Sequence, residues 1–279
     1  MTLQQQGGVP FVSADQLTRS GGVAHGFSTR QGGVSQGIFS SLNLSPSRGD
    51  DPQCVAENYR RFCAAIGVRP DRLVLTRQVH GCTVRAVTEE DIQQDVRLPA
   101  QVECDALVTQ TPGLALAVFT ADCIPILLYD PQVRAVAAVH AGWRGTAGDI
   151  VGRTVEKLTD CFGSRPEQVL AAIGPGISRC CFETDGDVPQ AMEEQLGSLA
   201  RPCIAAGPGG KFHVDLKAIN AALLRRAGVA PDHIEISGHC TACLPRLYWS
   251  HRVTQGRRGN QAAMIMLRPE RGGQEGDRL

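Results

Sequence analysis

The chain has 279 residues, and its 28 Lys and Arg residues balance 28 Asp and Glu residues, so the formal net charge is zero and the pI is close to 7.0. This length is sufficient for a sizeable core. The balanced charge excludes a general attraction to nucleic acid or to an anionic membrane, so selectivity must come from a local site. No apolar run is long enough to span a bilayer, and the N-terminal residues lack the pattern of a secretion signal. We therefore expect a cytoplasmic protein.

The eleven cysteines favour reduced thiols over a disulfide framework, since nothing in the sequence directs the chain to secretion. Free cysteines commonly pack as small buried hydrophobes. Cys240 and Cys243, in "CTAC", have the spacing of a metal-ligand pair. A structural zinc site needs a second pair, and the adjacent Cys180 and Cys181 do not repeat the spacing. The sequence therefore does not predict a zinc ribbon.

The first predicted helix covers residues 51–67. Asp51 is a suitable N-cap, Pro52 occupies the first helical position, and Gly67 is a stop signal. Apolar side chains recur on one face of this segment, at Val55, Tyr59, Phe62 and Ile66.

Short apolar runs rich in Val, Ile and Leu dominate the middle of the chain, and turn sequences such as "TPG" and "DPQ" divide them. They predict buried strands in "CDALVTQ", "GLALAVF", "CIPILLYD" and "VRAVAAVH". Later strands are predicted in "VLAAIG", "HIEISG" and "AAMIML".

Two further helices are predicted among these strands. Thr146 and Asp149 form a capping-box pattern before a helix that ends at Gly163, and another helix begins near Asp215 and stops at Gly228. Strands precede, separate and follow the helices without strict alternation. This order favours an α+β domain with a mixed sheet over a doubly wound fold.

Three apolar runs end on a residue that can bind a metal ion: His80 in "LVLTRQVHG", Cys123 in "VFTADCIPILL" and His140 in "AVAAVHAGWRG". Strand ends hold side chains rigidly beside mobile loops, which suits a functional site. Two imidazoles and a thiolate are a suitable set for catalytic zinc, which leaves its fourth position to water or substrate. Asp122 would then carry a proton or orient the site. A metal-free alternative makes Cys123 a nucleophile activated by His140, and spacing alone leaves both readings open.

Several unusual blocks resemble one known family. They are "HGFSTRQGGVS", "SLNLS", "RQVHG", "TADCIPILLYD", "VHAGWRGT", "AIGPGISRCCFE", "FHVDL", "CTAC" and "GRRGNQAAMI". Together they are similar to the YfiH family, also called the laccase-domain or polyphenol oxidase family and, in bacteria, peptidoglycan editing factor. The resemblance covers nearly the whole chain, roughly residues 20 to 268.

The resemblance implies a fold and a metal. It predicts a single-domain α/β/β sandwich similar to the catalytic domain of cytotoxic necrotizing factor toxins. An N-terminal extension (1–19) would precede the catalytic domain (20–268), and a polar tail (269–279) would follow it. The family's zinc ligands, two histidines and a cysteine, match His80, Cys123 and His140. This favours the zinc reading over the metal-free pair.

The resemblance also implies an activity: phosphorolysis of adenosine, inosine, guanosine or methylthioadenosine, with deamination of adenosine. The alternatives are an enzyme that edits a cell-wall precursor, a copper-dependent polyphenol oxidase, and a metal-stabilised binding module without turnover. A laccase-type copper cluster needs many histidines, and the chain has seven, so we expect zinc, although copper could displace it in vitro.

Candidate substrate contacts lie near these blocks. We expect Asn43 and Gln78 to contact the nucleoside, and His25 to be a possible neighbour of the metal ligands. Guanidinium groups bind phosphate in a bidentate manner. The candidates for phosphate are Arg48 and Arg144, together with Arg30 and Arg252.

Trp143 is expected to pack as a plug against the next helix rather than stack on the purine. The expected partners are a nucleoside and phosphate, and the chain is expected to be a monomer or weak homodimer.

Overall fold

Two stacked sheets form the centre of the structure, a computed structural model that describes residues 1–269. The strands of the first half are β1 (Thr2–Gln6), β2 (Val9–Ser13), β3 (Val23–Ser28), β4 (Leu73–Arg77), β5 (Val84–Ala86), β6 (Val102–Glu103), β7 (Ala106–Thr109) and β8 (Ala115–Thr120). Those of the second half are β9 (Ile124–Asp130), β10 (Ala135–Ala141), β11 (Leu170–Ile173), β12 (Glu183–Thr184), β13 (Ile204–Ala206), β14 (Phe212–Val214), β15 (Ile234–Ile236) and β16 (Gln261–Leu267).

The first sheet has the strand order β1-β2-β3-β16-β8-β4-β6, and the second has the order β15-β11-β9-β10-β7-β5. A small third sheet has the order β12-β14-β13. Both large sheets are mixed: β4 runs parallel to β8 while β16 runs antiparallel to it, and β11 runs parallel to β15 but antiparallel to β9. The seven predicted strands are all present.

Helices cover the outer faces of the two sheets. They are α1 (Asp15–Ser20), α2 (Pro52–Ile66), α3 (Trp143–Ala147), α4 (Ile150–Phe162), α5 (Asp187–Leu196), α6 (Leu216–Arg226) and α7 (His251–Thr254). Apolar side chains of α4, α5 and α6 pack on the second sheet, and those of α2 pack on the first. Side chains such as Val118 and Ile265 of the first sheet meet Leu127 and Val136 of the second in a core between them. The predicted α+β sandwich with mixed sheets is confirmed, and α2 adds a cover on its other side.

Two of the three predicted helix N-caps are confirmed. Asp51 caps α2 by accepting the Gln53 N–H, and Asp215 caps α6 by accepting the Ala218 N–H. The predicted capping box is wrong: Asp149 itself caps α4, while Thr146 lies in α3 and accepts a hydrogen bond from the Asn220 amide.

The N-terminal residues are part of the first sheet, and the predicted domain division stays a prediction. Residues 1–19, predicted as an extension, include β1 and β2; β2 pairs with β3 in the antiparallel direction, and β1 pairs with β2 at the edge of the first sheet. The predicted polar tail falls on Pro269 and on residues 270–279, which lie outside the described residues. Within residues 1–269, no helix is both long and apolar enough to cross a bilayer.

Candidate metal centre and adjoining pocket

The structure brings together the three residues predicted as metal ligands. One ligand atom from each of His80, Cys123 and His140 can be chosen so that all lie within 4.8 Å of one another. The His80 and His140 rings meet edge to face, with 4.8 Å between their centroids. His80 follows β4 of the first sheet, whereas Cys123 immediately precedes β9 and His140 lies near the end of β10 in the second. In the β9–β10 hairpin His140 is opposite Pro125, which places Cys123 beside it.

A buried carboxylate that the sequence analysis did not single out, Asp105, holds this arrangement. Its oxygens accept hydrogen bonds from the backbone N–H groups of Val79, His80 and Gly81, at 3.2, 3.0 and 2.8 Å. The same carboxylate is 2.8 Å from Nδ1 of His140, which leaves Nε2 of that ring free to bind a metal. Burial raises the pKa of Asp105, but the hydrogen bonds from His140 and the backbone outweigh it and lower the pKa below its usual value. Such a carboxylate–histidine pair fixes the tautomer and orientation of a metal ligand.

Replacing Asp105 by asparagine is expected to weaken metal binding by about 10- to 100-fold, the usual effect of removing a partner that orients a ligand. The amide cannot supply the negative charge that holds His140, and its NH2 group faces backbone donors. Competition with a graded chelator measures the change. Glu103→Gln, two residues earlier and exposed at the surface, is the matched control. Unchanged affinity in Asp105→Asn would show that the two ligand loops are held by packing alone.

Cys123 and His140 form an acid–base pair. Burial raises the pKa of the Cys123 thiol, but the imidazoles of His140 and His80 outweigh it and lower the pKa to about 6. Burial lowers the pKa of His140, but the charge of Cys123 and the hydrogen bond to Asp105 raise it to about 9. The thiolate, which is the form that binds metal, is therefore favoured at neutral pH.

Gly142, two residues after His140, packs directly over the three side chains His80, Cys123 and His140. A Cβ built on Gly142 would lie 3.1 Å from Cδ2 of His80, 3.4 Å from Sγ of Cys123 and 3.7 Å from Cε1 of His140. A side chain at this position would push against all three ligands. Gly145 makes a second close approach, since its added Cβ would lie 3.1 Å from the carbonyl oxygen of Gly81. The glycines of "HAGWRG" therefore allow α3 to cross the site at close range.

A cavity of about 250 Å³ opens beside the cluster. His80, Cys123 and His140 all line it, and Leu75 and Phe119 give it an apolar side. The other lining residues used below are Arg48, Gln78, Arg258 and Asn260.

Arg258, which the sequence analysis did not identify, carries a buried charge on this cavity. Its side chain is only 7% exposed. Nη1 donates to the Gly259 carbonyl and to Oδ1 of Asn260, and Nη2 is 3.4 Å from Nδ1 of His251. Nε is buried, and no described residue accepts a hydrogen bond from it. Burial and the neighbouring charge of Arg48 lower the pKa of Arg258 to about 10, so it remains a cation at neutral pH.

Comparison with known proteins assigns the family. A sequence profile described as "Multi-copper polyphenol oxidoreductase laccase" matches residues 24–268. A protein of Deinococcus radiodurans named purine nucleoside phosphorylase is 41% identical over 270 residues, covering 97% of each chain. The chain therefore belongs to the laccase-like YfiH family.

Two further members of the YfiH family are similar in sequence or structure. A protein from an unknown prokaryotic organism, named adenosine deaminase RL5, is 37% identical over 229 residues, covering 81% of this chain and 87% of the relative. The crystal structure of the hypothetical protein YfiH of Bacillus licheniformis matches with a TM-score of 0.87 and 29% identity, covering 95% of this chain and 98% of that one. The resemblance drawn from the sequence motifs is confirmed.

The multicopper description of the YfiH family does not match the ligands of this chain. The seven histidines of this chain all lie within residues 1–269. Among those residues, only His80 and His140 belong to a group of side chains that could hold a metal ion. A trinuclear copper cluster requires many more imidazoles at one place.

Two predicted substrate contacts line or border the cavity in different ways. The Gln78 side chain lines it, but its amide pairs with the backbone of Phe119, accepting the N–H at 2.6 Å and donating to the carbonyl at 2.7 Å. Asn43 is fully buried and is not among the lining residues. Its amide donates to Ser45 and Asp50 and accepts from the N–H groups of Ser45 and Asn260. The Asn43 amide therefore holds two residues that line the cavity, Ser45 and Asn260, and its predicted contact with the nucleoside stays a prediction.

Asp122 adopts a left-handed conformation (φ 85°) that a non-glycine residue holds only with support from its surroundings. Its carboxylate accepts hydrogen bonds from the Thr241 and Ser250 hydroxyls, at 2.6 and 3.0 Å, and from the Arg252 N–H at 2.7 Å. The residue is not among those that line the cavity. Asp122 directly precedes Cys123, and these three donors hold its carboxylate; its role as proton carrier or orienting residue stays a prediction.

The other predicted arginines lie away from the cavity. Arg144 is exposed, with its guanidinium 4.1 Å from the centroid of the Trp143 ring. Trp143 is partly buried and packs against the core that the second sheet forms with its helices, which agrees with the predicted plug. Arg30 stacks on Trp249 at 3.9 Å, and Arg252 donates to the carbonyls of Cys181 and Glu183. Of the four predicted phosphate ligands, only Arg48 lines the cavity.

His25 is not part of the site, although it was expected to be a possible neighbour. It lies in β3, only 7% exposed, and its Nε2 accepts the Ala14 N–H at 2.9 Å. Burial lowers the pKa of His25 to about 4.

Because folded His25 binds fewer protons than the unfolded chain, acid is expected to destabilise the fold through this residue. The loss begins near the ordinary histidine pKa of about 6.5 and reaches on the order of 3 kcal/mol near pH 4. Urea unfolding at a series of pH values measures it. His25→Gln should remove this part of the pH dependence, whereas His213→Gln, at a more exposed imidazole, should retain it. Parallel curves for His25→Gln and the wild type would contradict the assignment.

Proposed function

We propose that this protein is a cytoplasmic, zinc-dependent purine nucleoside phosphorylase that also deaminates adenosine. One observation carries the proposal: the two histidines and the cysteine line the same small cavity as two arginines, Arg48 and Arg258. A metal-ligand set and an anion site within one cavity suit a substrate that combines a polar organic molecule with phosphate. The names of the Deinococcus and RL5 relatives support the same reaction classes.

The ligand set suits zinc. Nitrogen and sulfur donors in a His2Cys set are typical of zinc, and a site with three protein ligands leaves a fourth position open. His140 is held by Asp105, and Gly142 leaves just enough room above the three side chains. When bound, zinc supplies a Lewis acid and lowers the pKa of a coordinated water to about 7.

In phosphorolysis, Arg258 and Arg48 would bind and orient the phosphate. Arg258 has an unpaired Nε–H, and none of the described residues accepts a hydrogen bond from the guanidinium of Arg48, so both have free donors for an anion. A phosphate oxygen forms a bond to C1′ of the ribose, while the C1′–N9 bond breaks and its electron pair leaves with the purine. The products are the free base and ribose 1-phosphate.

The apolar side of the cavity would receive the purine. Phe119 is 9% exposed and lines the cavity together with Leu75 and Ala121. An aromatic face of this kind stacks on a nucleobase without selecting one base strictly. In deamination, water adds at C6 of adenosine and ammonia leaves, giving inosine. Both reactions thus use one base position.

The size of the cavity favours a nucleoside over a cell-wall precursor. Its volume of about 250 Å³ lies just below the range of about 300–1,000 Å³ that holds drug-sized ligands. A sugar–peptide precursor would need a longer groove. The cytoplasmic assignment is supported by eleven free cysteines, which suit a reducing compartment.

A product analysis tests the proposal. The purified, zinc-loaded protein is incubated with adenosine, with and without phosphate, and the products are separated by chromatography. We expect adenine and ribose 1-phosphate only when phosphate is present, and inosine in both reactions. The absence of adenine, hypoxanthine and inosine would refute the proposal. Turnover of a muropeptide precursor or a phenol in parallel incubations would then identify which alternative is correct.

A further inference from the structure

A second group of metal-binding side chains lies outside the proposed active site. Among residues 1–269, the sulfur atoms of Cys180, Cys181, Cys240 and Cys243 all lie within 4.8 Å of one another. Cys181 and Cys243 are 3.4 Å apart, Cys180 and Cys243 are 3.5 Å apart, and Cys180 and Cys181 are 3.7 Å apart. Cys180 and Cys181 do not repeat the spacing of the "CTAC" pair in the sequence, but they reach that pair through space.

The sheet topology causes this convergence. β11 and β15 are parallel neighbours, so the loops that follow them leave the same edge of the second sheet. These loops continue side by side: Gly176 forms a parallel bridge with Cys240, and the Thr241 N–H donates to the Gly176 carbonyl at 3.2 Å. The two pairs of cysteines thus meet although about sixty residues separate them in the chain.

The distances fit one tetrahedral ion. In a zinc tetrathiolate with Zn–S bonds of about 2.3 Å, the sulfur atoms are about 3.8 Å apart. The three separations among Cys180, Cys181 and Cys243, of 3.4, 3.5 and 3.7 Å, are close to this value, and Sγ of Cys240 lies within 4.8 Å of each of them. The sulfur atoms are too close together to surround a cluster of several iron atoms. We propose that Cys180, Cys181, Cys240 and Cys243 bind a structural zinc ion.

A backbone N–H group is placed where it stabilises a thiolate at Cys240. The Ser178 N–H donates to Sγ of Cys240 at 3.3 Å. N–H bonds of this kind stabilise the charged form of a cysteine. A disulfide between two of the four thiols would leave this arrangement unused.

A buried cation offers charge compensation. Lys217 is 5% exposed, and its ammonium donates to Oγ of Ser178 and to the carbonyls of Ser237 and His239, at 3.1, 3.0 and 2.6 Å. Burial lowers the pKa of Lys217 to about 8, while negative charge on Cys240, Asp215 and Cys180 acts in the opposite direction. A zinc ion with four thiolates carries two net negative charges, so this buried ammonium lies where it offsets them.

The second site supports the first through Asp122. Thr241, between the two cysteines of "CTAC", donates from its hydroxyl to the Asp122 carboxylate at 2.6 Å. In the adjoining loop, the Ile177 N–H donates to the Asp122 carbonyl at 2.8 Å. Asp122 directly precedes Cys123 in the chain. Zinc at the four cysteines would therefore fix both loops against the segment that carries Cys123.

Metal analysis of purified protein tests this proposal. After dialysis against buffer with a weak chelator, we expect two zinc ions per wild-type chain and one per chain of Cys240→Ser/Cys243→Ser. His80→Ala/His140→Ala should also retain one, so failure at either site is distinguishable from failure at the other. Cys161→Ser, which removes an exposed cysteine elsewhere, is the matched control and should retain two.

Cobalt substitution in the wild-type chain supplies a measurement that needs no variant. Cobalt at four thiolates gives ligand-to-metal charge-transfer bands more intense than those of one thiolate, and the bands should remain in His80→Ala/His140→Ala. If the wild-type chain binds only one zinc ion, and Cys240→Ser/Cys243→Ser binds the same single ion, the proposal is overturned. Fewer than eleven titratable thiols in wild-type protein denatured without reductant would also overturn it, since this would identify a disulfide.

Discussion

Replacing Cys123 by alanine is expected to remove the zinc ion of the proposed active site and to lower kcat/KM for both nucleoside reactions by roughly 10³-fold or more. Two imidazoles alone bind zinc weakly, and the thiolate is the charged member of the set. The chain should remain folded, because removing one small side chain at the edge of the cavity leaves the sheet core intact. Zinc content falls by one equivalent per chain, and circular dichroism is unchanged.

Cys63→Ala is the matched control, since Cys63 is a fully buried thiol on α2, away from the cavity. It should keep full activity and both zinc ions, with only a loss of stability. If Cys123→Ala loses activity but keeps the full zinc content, Cys123 acts instead as a nucleophile with His140 as its base. That outcome would favour the metal-free alternative, in which His140 activates Cys123 as a nucleophile.

Replacing Arg258 by methionine is expected to separate the two reactions. Phosphorolysis should fall by about 10²- to 10³-fold in kcat/KM, with a raised KM for phosphate, because a charge that stabilises the transferred anion is lost. Deamination of adenosine needs no phosphate and should change by only a few-fold. The long apolar side chain of methionine fills the space that the arginine stem occupied.

Steady-state assays with varied phosphate measure this effect. Arg257→Met changes the preceding, exposed arginine and should leave both reactions unaltered. Equal losses of phosphorolysis and deamination in Arg258→Met would show that this arginine shapes the cavity rather than binding phosphate. Addition of free guanidinium would then fail to restore phosphorolysis selectively.

Local signals were sufficient to predict the three residues that the structure brings together as a possible metal site. Each of His80, Cys123 and His140 stands at the end of an apolar run, and the strands that these runs form are present. Helix α2 was predicted to within a residue, because its N-cap, its apolar face and its terminal glycine all lie within one segment. These features depend on neighbours in the sequence.

Features that depend on distant pairing could not be predicted in the same way. Asp105 precedes an ordinary buried strand, and only the folded chain shows that it accepts hydrogen bonds from the His80 loop. Nothing in the sequence around Arg258 distinguishes it from other basic loop residues, and only the structure shows that it is buried. Asn43 was predicted to contact the nucleoside, and only the folded chain shows that its amide oxygen accepts hydrogen bonds from the N–H groups of Ser45 and Asn260. The four cysteines meet only because β11 and β15 lie side by side.

The proposed catalytic ion would be held from both sheets at once. His80 is carried by the first sheet, whereas His140 and the start of β9 belong to the second, and the core between them is otherwise joined by apolar contact. Coordination would therefore act as a cross-link across a hydrophobic seam. Hydrogen exchange should show this directly: stripping the ion should accelerate exchange along the facing strands β8 and β10 more than in α2, so that one atom controls how readily the halves of the sandwich separate.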